Sequence, residues 1–197
     1  MSKWDPRLII NRATDASSEP VTVAEAKAHL RVETTDDDTY ITTLIKIARK
    51  HIEDICGISM ISQTWDLWLN HFPNEIKIPR PPLISVTSIT YTDTDGDSQT
   101  LATGVYTVDS DSDPGRIYEA YDQSFPSVRS IPKAIKVRFV SGFSATATGV
   151  DEDLKHAMLL LIGQWFENRE PVVVGTIAAE IPMTVKSLLA PYKHRDF

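Results

Sequence analysis

Cysteine is nearly missing from this sequence. One residue in 197, Cys56, can form no internal disulfide and cannot build a Cys-based zinc site. Long apolar runs are missing too, since none reaches the roughly 18–20 residues that cross a bilayer. The opening residues Met1-Ser2-Lys3-Trp4-Asp5-Pro6 lack the apolar centre of a secretory signal, so a cytosolic origin and no membrane partner are expected. Positive charge is in deficit, with 20 Lys and Arg against 27 Asp and Glu and a net charge of -7. That balance argues against wrapping DNA by phosphate neutralisation, which needs clustered cations. The five histidines, His29, His51, His71, His156 and His194, form neither a His-x-x-His nor a His-Glu-x-x-His pair. Gly142-Phe143-Ser144 lacks the second glycine of a nucleophile elbow, and no glycine-rich phosphate loop or dinucleotide fingerprint occurs. No set of residues assembles an acid, a base and an oxyanion site, so no catalytic residue, metal or cofactor is assigned. These absences point to a binding or structural role.

What is present is a foldable chain. The apolar fraction of 42% is enough for a core, and the length suits one domain or one domain with a sizeable insertion. Residues 1–20 read as an N-terminal arm, with Leu8-Ile9-Ile10 able to form a short strand. Thr22-Val23-Ala24-Glu25 is a capping box, and Val23, Ala26 and Leu30 share one face of a short helix that should end near Val32. Thr35-Asp36-Asp37-Asp38 suits the positive end of a second helix. Ile41, Leu44, Ile45, Ala48, Ile52 and Ile55 form its apolar stripe, with Lys46, Arg49, Lys50, Glu53 and Asp54 on the other side and Gly57 at the left-handed C′ position.

The period then changes from 3.6 to 2. Thr64–Leu69, Glu75–Ile78, Val86–Tyr91 and Ala134–Val140 alternate, interrupted by Pro79-Arg80-Pro81-Pro82, Asp95-Gly96 and Asp113-Pro114-Gly115. Thr100–Val108 reads as the return strand of the Asp95-Gly96 hairpin. From Asp151-Glu152-Asp153 a helix resumes. Leu154, Met158, Leu161 and Trp165 share one face, while Leu159, Leu160, Ile162 and Phe166 cover much of the rest. A helix apolar nearly all round must be buried on several sides, in a core or against another subunit. Val172–Ala179 is too apolar for a free loop, and Pro182 opens a last short helix through Leu188-Leu189-Ala190. Trp165, Phe166, Val173 and Ile177 are the candidates for a subunit interface. The expected fold class is α+β, a small helical bundle (21–60 and 150–197) carrying an inserted antiparallel β subdomain (61–149).

Two acidic clusters invite a metal reading. Asp93-Thr94-Asp95-Gly96-Asp97 resembles the start of a calcium loop, but its glycine is fourth rather than sixth and no Glu stands at the twelfth position. A solvated hairpin tip is the simpler reading. Asp109, Asp111 and Asp113 are ordinary turn formers before Pro114-Gly115. A metal-dependent enzyme working through Asp93, Asp95, Asp109, Asp111 and Asp113 is the least favoured alternative.

The ordered set of segments is more specific than any one motif. Pro20–Val32, Leu44-Ile45 with Ala48-Arg49, Gly57, Gln63-Thr64-Trp65, Phe72-Pro73, Ile78-Pro79, Pro82–Val86, Tyr91-Thr92-Asp93, Val140–Phe143, Leu159–Trp165, Glu167–Glu170 and Leu188–Tyr192 follow one another in the chain. This order resembles the head–tail connector, or adaptor, proteins of tailed bacteriophages and phage-like gene transfer agents, over roughly residues 19–193. The resemblance implies a virion structural protein, not an enzyme. Copies of it would form a ring of roughly twelve below the portal protein, closed by head-to-tail contacts. The ring would extend the DNA channel without sequence-specific binding and dock the tail-side stopper. It also implies that C-terminal segments reach the portal, which maps to Leu188, Leu189, Tyr192, Lys193, Arg195 and Phe197. The tail-side loop candidates are Asp93, Asp95, Asp97 and Asp111. Another neck or tail component, a stopper or terminator, is the alternative.

Overall fold

The structure, a computed structural model, describes residues 9–168 and 182–193. Its first helix, α1 (Val23–Leu30), starts as the sequence predicts. The Thr22 hydroxyl accepts from the Glu25 N–H at 3.2 Å, and the Glu25 carboxylate accepts from the Thr22 N–H at 2.7 Å. The helix stops at Leu30 rather than near Val32, because Arg31 takes a left-handed conformation with φ 58°. Helix α2 (Asp38–Cys56) ends at Gly57 with φ 72°, the conformation glycine adopts at no steric cost.

Ile41, Leu44, Ile45, Ala48, Ile52 and Cys56 bury one side of α2. They pack against Leu154, Ala157, Met158, Leu161 and Ile162 of α3 (Glu152–Glu167) and against Val185 and Leu189 of α4 (Met183–Leu189). Burying each such Leu, Ile or Met contributes about 1.5–3 kcal/mol. A single 3₁₀ turn, Ala190–Tyr192, follows α4.

The strands form a second core. β1 (Ile9–Thr14), β2 (Gln63–Leu69), β8 (Ile135–Ser141), β4 (Leu83–Thr92) and β5 (Ser98–Thr100) make one antiparallel sheet in the order β1-β2-β8-β4-β5. β3 (Glu75–Lys77), β7 (Arg116–Glu119) and β6 (Tyr106–Asp109) make a second sheet in the order β3-β7-β6. Along β2 and β8 burial alternates strictly, so Trp65, Leu67, Val137 and Phe139 face inward while Asp66, Trp68, Lys136 and Arg138 face outward. On the outer face Arg138 grips Asp66 at 2.7 and 2.8 Å across paired strands. This fork holds the Asp66 carboxyl below its ordinary value.

The fold class is therefore the expected α+β arrangement, with the strands from β2 to β8 between α2 and α3 in the chain. Two further details differ from the sequence reading. Residues 9–14, expected within an arm, form the edge strand of the large sheet and pair with β2. The expected return strand over Thr100–Val108 is split. Ser98–Thr100 pairs with β4, Leu101 turns inward with its N–H on the Ile89 carbonyl, and the 3₁₀ turn Thr103–Val105 sends Tyr106–Asp109 into the second sheet. Burying Leu101 outweighs continuing an exposed hairpin.

The two cores meet at a polar seam. The Trp65 Nε1–H and the Ser141 hydroxyl both donate to the Ser59 hydroxyl at 3.0 Å. Gly142 lies so close that a Cβ would stand 2.6 Å from the backbone of Ile61 and Ser62.

Candidate assembly interface

Of the α2 residues expected on its solvent side, Arg49 and Glu53 are instead buried, at 1% and 0% exposure. The Arg49 guanidinium donates to Glu19 at 2.7 Å, Glu53 at 3.1 Å and Asp15 at 3.1 Å. Glu53 also accepts from Arg12 at 3.3 Å, from the Met60 N–H at 3.0 Å and from Gln63 at 2.5 Å. A charge this deep survives only when paired and hydrogen-bonded, and the segment after β1 supplies the partners. Burial pushes the Glu53 carboxyl above its ordinary value, against the opposing pull of Arg49. This network is architecture rather than a surface: it ties residues 12–19 to α2 and to the start of β2.

The outward side of α2 carries a different feature. Ile47 is 47% exposed between the exposed Lys46 and Lys50. It lies two turns after Tyr40 and one turn before His51 on the same helical face. Tyr40 stacks obliquely on Phe166 with centroids 6.0 Å apart and donates its hydroxyl to the Trp165 carbonyl at 3.3 Å. His51 meets the Trp165 ring edge-on at 5.6 Å. The end of α3 thus lies along α2, and Tyr40, Ile47, His51, Trp165 and Phe166 make a half-covered apolar and aromatic strip. Partly buried aromatic side chains beside an exposed isoleucine suit a protein–protein contact. Trp165 and Phe166 were interface candidates from sequence. Ile47 was not, although an isoleucine on the charged side of an amphipathic helix was the signal that could have found it. Val173 and Ile177 lie outside the described residues.

The portal-contact candidates divide. Leu189 is 1% exposed inside the helical core, so it anchors α4 rather than offering a surface. Leu188 and Lys193 are half-buried. Lys193 stands near enough to Cys56 for its charge to act on the thiol, which burial nonetheless pushes up to about 11. Tyr192 is half-buried, with its ring 6.3 Å from Phe143 and its hydroxyl donating to Asp151 at 2.9 Å. Arg195 and Phe197 lie outside the described residues.

Burial, followed by the Asp151 bond, raises the Tyr192 phenol to about 12. An acid whose folded value is raised stabilises the fold fully below its unfolded value of about 10. That stability is lost as the pH climbs from there to about 12. Tyr192→Phe should cost about 1 kcal/mol near neutrality and flatten the loss of stability above pH 10, as read by urea unfolding across pH.

The acidic loops are turns. Asp93 Oδ1 accepts from the N–H groups of Asp95, Gly96 and Asp97 at 3.1, 2.9 and 2.9 Å, and Oδ2 accepts from the Gln99 amide at 2.9 Å. These bonds, the Gln99 one foremost, hold the carboxyl below its ordinary value. Asp109 accepts from the Ser112 hydroxyl and from the N–H groups of Ser112 and Asp111 in the same way. Oxygens spent on backbone donors are poor cation ligands. Among the described residues no group of three or more His, Cys, Asp or Glu is placed to hold a metal ion. Nor is any described helix long and apolar enough to cross a membrane.

The tail-side candidates do not cluster. Asp93, Asp95 and Asp97 share the β4–β5 tip, far from the helices. Asp111 lies in the turn before Gly115, which packs on Leu83 at the opposite end of the large sheet.

The described residues thus form four helices joined to two antiparallel sheets, with a partly covered apolar strip along α2 and the end of α3. The chain belongs to the head completion protein family, whose model matches residues 19–194. That stretch coincides with the one carrying the resemblance to head–tail connectors. Its fold is similar to a chain in the neck of an empty gene transfer agent particle computed with C6 symmetry, at 24% identity and TM-score 0.78, covering 94% of this chain and 95% of that one. It is similar to a chain of the native gene transfer agent virion at 22% identity and TM-score 0.76, with 94% and 95% covered. A chain in the native neck computed with C12 symmetry matches at 24% identity and TM-score 0.75, with 94% of each covered. No curated protein matches the chain significantly.

Proposed function

We propose that this protein is a head–tail adaptor, a non-enzymatic virion component that forms a ring of roughly twelve copies below the portal. The ring continues the DNA channel and offers its far side to the tail-side stopper. The observation that carries this reading is the strip of Ile47, Trp165 and Phe166 on the outer side of α2 and α3. Ile47 stands 47% exposed on it, and such a strip suits a head-to-tail neighbour. The gene transfer agent necks in which similar folds occur support the location at a head–tail junction. The net charge of -7 supports a channel along which DNA slides without adhering, since phosphate binding needs cationic partners. Portal contact is assigned to Leu188, Tyr192 and Lys193 together with Arg195 and Phe197; Leu189 serves them by seating α4.

Cryo-electron microscopy of purified particles tests the reading. Ring density for this chain between portal and tail is the expected result, and density anywhere else, or none, overturns it. Particles lacking residues 192–197 should fail to join heads to tails. Normal joining would remove the C-terminus from the portal contact.

A further inference from the structure

Two adjoining cavities of about 380 and 370 Å³ open at one end of the large sheet and share His71 and Val128. Together they make a groove. One wall is the link from β2 to β3, residues 70–74, and the other is the run 125–132 that leads into β8. Both walls are held by the fold itself. Phe125 stacks on Phe72 with centroids 4.6 Å apart, and its N–H donates to the Glu119 carboxylate at 2.7 Å. The Arg129 N–H donates to the Thr92 carbonyl at 3.0 Å, and its guanidinium donates to the Asp95 carbonyl at 3.4 Å. The Lys133 N–H donates to the Asn70 side-chain oxygen at 2.9 Å and ties one wall to the other. Ile131 lines the groove and is 38% exposed. A preformed groove of mixed apolar and polar character suits an extended peptide, because little has to be ordered on binding.

The start of the described chain indicates which peptide. Ile9 is paired with Trp68, two residues before Asn70. β1 and β2 are antiparallel, so residues 1–8 leave Ile9 in the direction in which β2 runs on into the groove wall. Asn70 lies about 7 Å beyond Trp68, and eight residues span at most about 28 Å, so the groove is within reach. The segment is Met1-Ser2-Lys3-Trp4-Asp5-Pro6-Arg7-Leu8, with one large aromatic side chain and charges of both signs. The groove offers matching chemistry in the apolar Val128, Ile131 and Pro132 and in the oppositely charged Arg129 and Glu119.

We propose that this groove seats the N-terminal residues 1–8 of the same chain, with the Trp4 indole against Val128 and Ile131 and the Asp5 carboxylate facing Arg129. The proposal concerns the single chain and does not rest on the ring reading. A second copy or another neck protein is the weaker occupant. It would compete with a segment tethered beside the groove, whose effective concentration is about millimolar.

Limited trypsin digestion of the purified full-length chain tests the proposal. Lys3 and Arg7 are the cleavage sites in the segment. A protease cuts a docked segment only while it is released, so the rate follows the released fraction. Trp4→Ala and Ile131→Asp should each speed removal of residues 1–7 at least about tenfold over wild type, as read by mass spectrometry. Ile131→Leu should keep the protection. Ile131 is part-exposed and residue 4 lies outside the described fold, so the circular dichroism spectra of the variants should match wild type. Equal cleavage of wild type, Trp4→Ala and Ile131→Asp overturns the proposal. So does a faster cut in only one of the two variants, which would separate the indole from the groove. Wild-type protection should not change with protein concentration. Protection that grows with concentration would assign the groove to a second copy and overturn the proposal as well.

Discussion

Replacing Arg49 by Met lowers the thermal midpoint of the chain by about 10 °C. Removing one partner of a buried ion pair typically costs about 3–5 kcal/mol, because the other charge stays buried without compensation. In a chain of this size each kcal/mol is worth about 2–4 °C. Arg49 is held by three carboxylates, and the fully buried Glu53 would keep only the more distant Arg12, at 3.3 Å, as its cation. The deficit should shrink as the pH falls. Burial already raises the Glu53 carboxyl. A carboxyl raised in the fold favours the folded state in acid and costs stability as the pH rises through its folded value. Without Arg49 that cost grows at neutral pH and is relieved once Glu53 takes a proton. Glu53→Gln should cost less than Arg49→Met at pH 7, since the amide still accepts from Met60 and leaves Arg49 paired with Asp15 and Glu19. Thermal melts followed by circular dichroism at pH 7 and pH 4.5 check both. An Arg49→Met midpoint within about 2 °C of wild type at pH 7 would show that the seam does not hold the fold together.

Ile47→Asp removes the chain from particles while leaving its fold intact. At 47% exposure Ile47 contributes little to the core, so the purified variant should melt within about 1 °C of wild type. In the ring the same side chain is expected to be covered. Losing its burial forfeits about 1.5–3 kcal/mol, and a carboxylate placed in that contact adds a desolvation cost. Since 1.4 kcal/mol is tenfold in an equilibrium constant, incorporation should fall well over tenfold. Ile84→Asp is the matched control, at 45% exposure on β4 rather than on the strip. It should incorporate normally. Quantitative immunoblotting of purified particles reads both, and equal behaviour of the two variants would refute the assignment of the strip.

The local elements were legible because their causes are local. The Thr22–Glu25 capping box closes within one turn, Gly57 terminates α2 through its own conformational freedom, and the alternation of Ile135–Ser141 needs only the period of a strand. The helix–strands–helix order therefore followed from composition and periodicity. The candidate site was legible in part. Trp165 and Phe166 stood out because α3 is apolar nearly all round, which calls for burial in a core or against another subunit, whereas Ile47 was hidden by the lysines beside it.

What the amino-acid order determined by itself was the helices, most of the strands and their order along the chain. Only the tertiary structure decided that Arg49 and Glu53 are interior, that residues 9–14 are a sheet edge, that Leu101 breaks a strand in two, and that Leu189 is core rather than contact. Each of these depends on partners between about ten and well over a hundred residues away, such as Arg12 for Glu53 and Trp65 for β1. Short-range periodicity records whether a side chain is polar. It cannot record whether a distant segment will arrive to pair with it, and in a folded chain that arrival sets the sign of the burial energy.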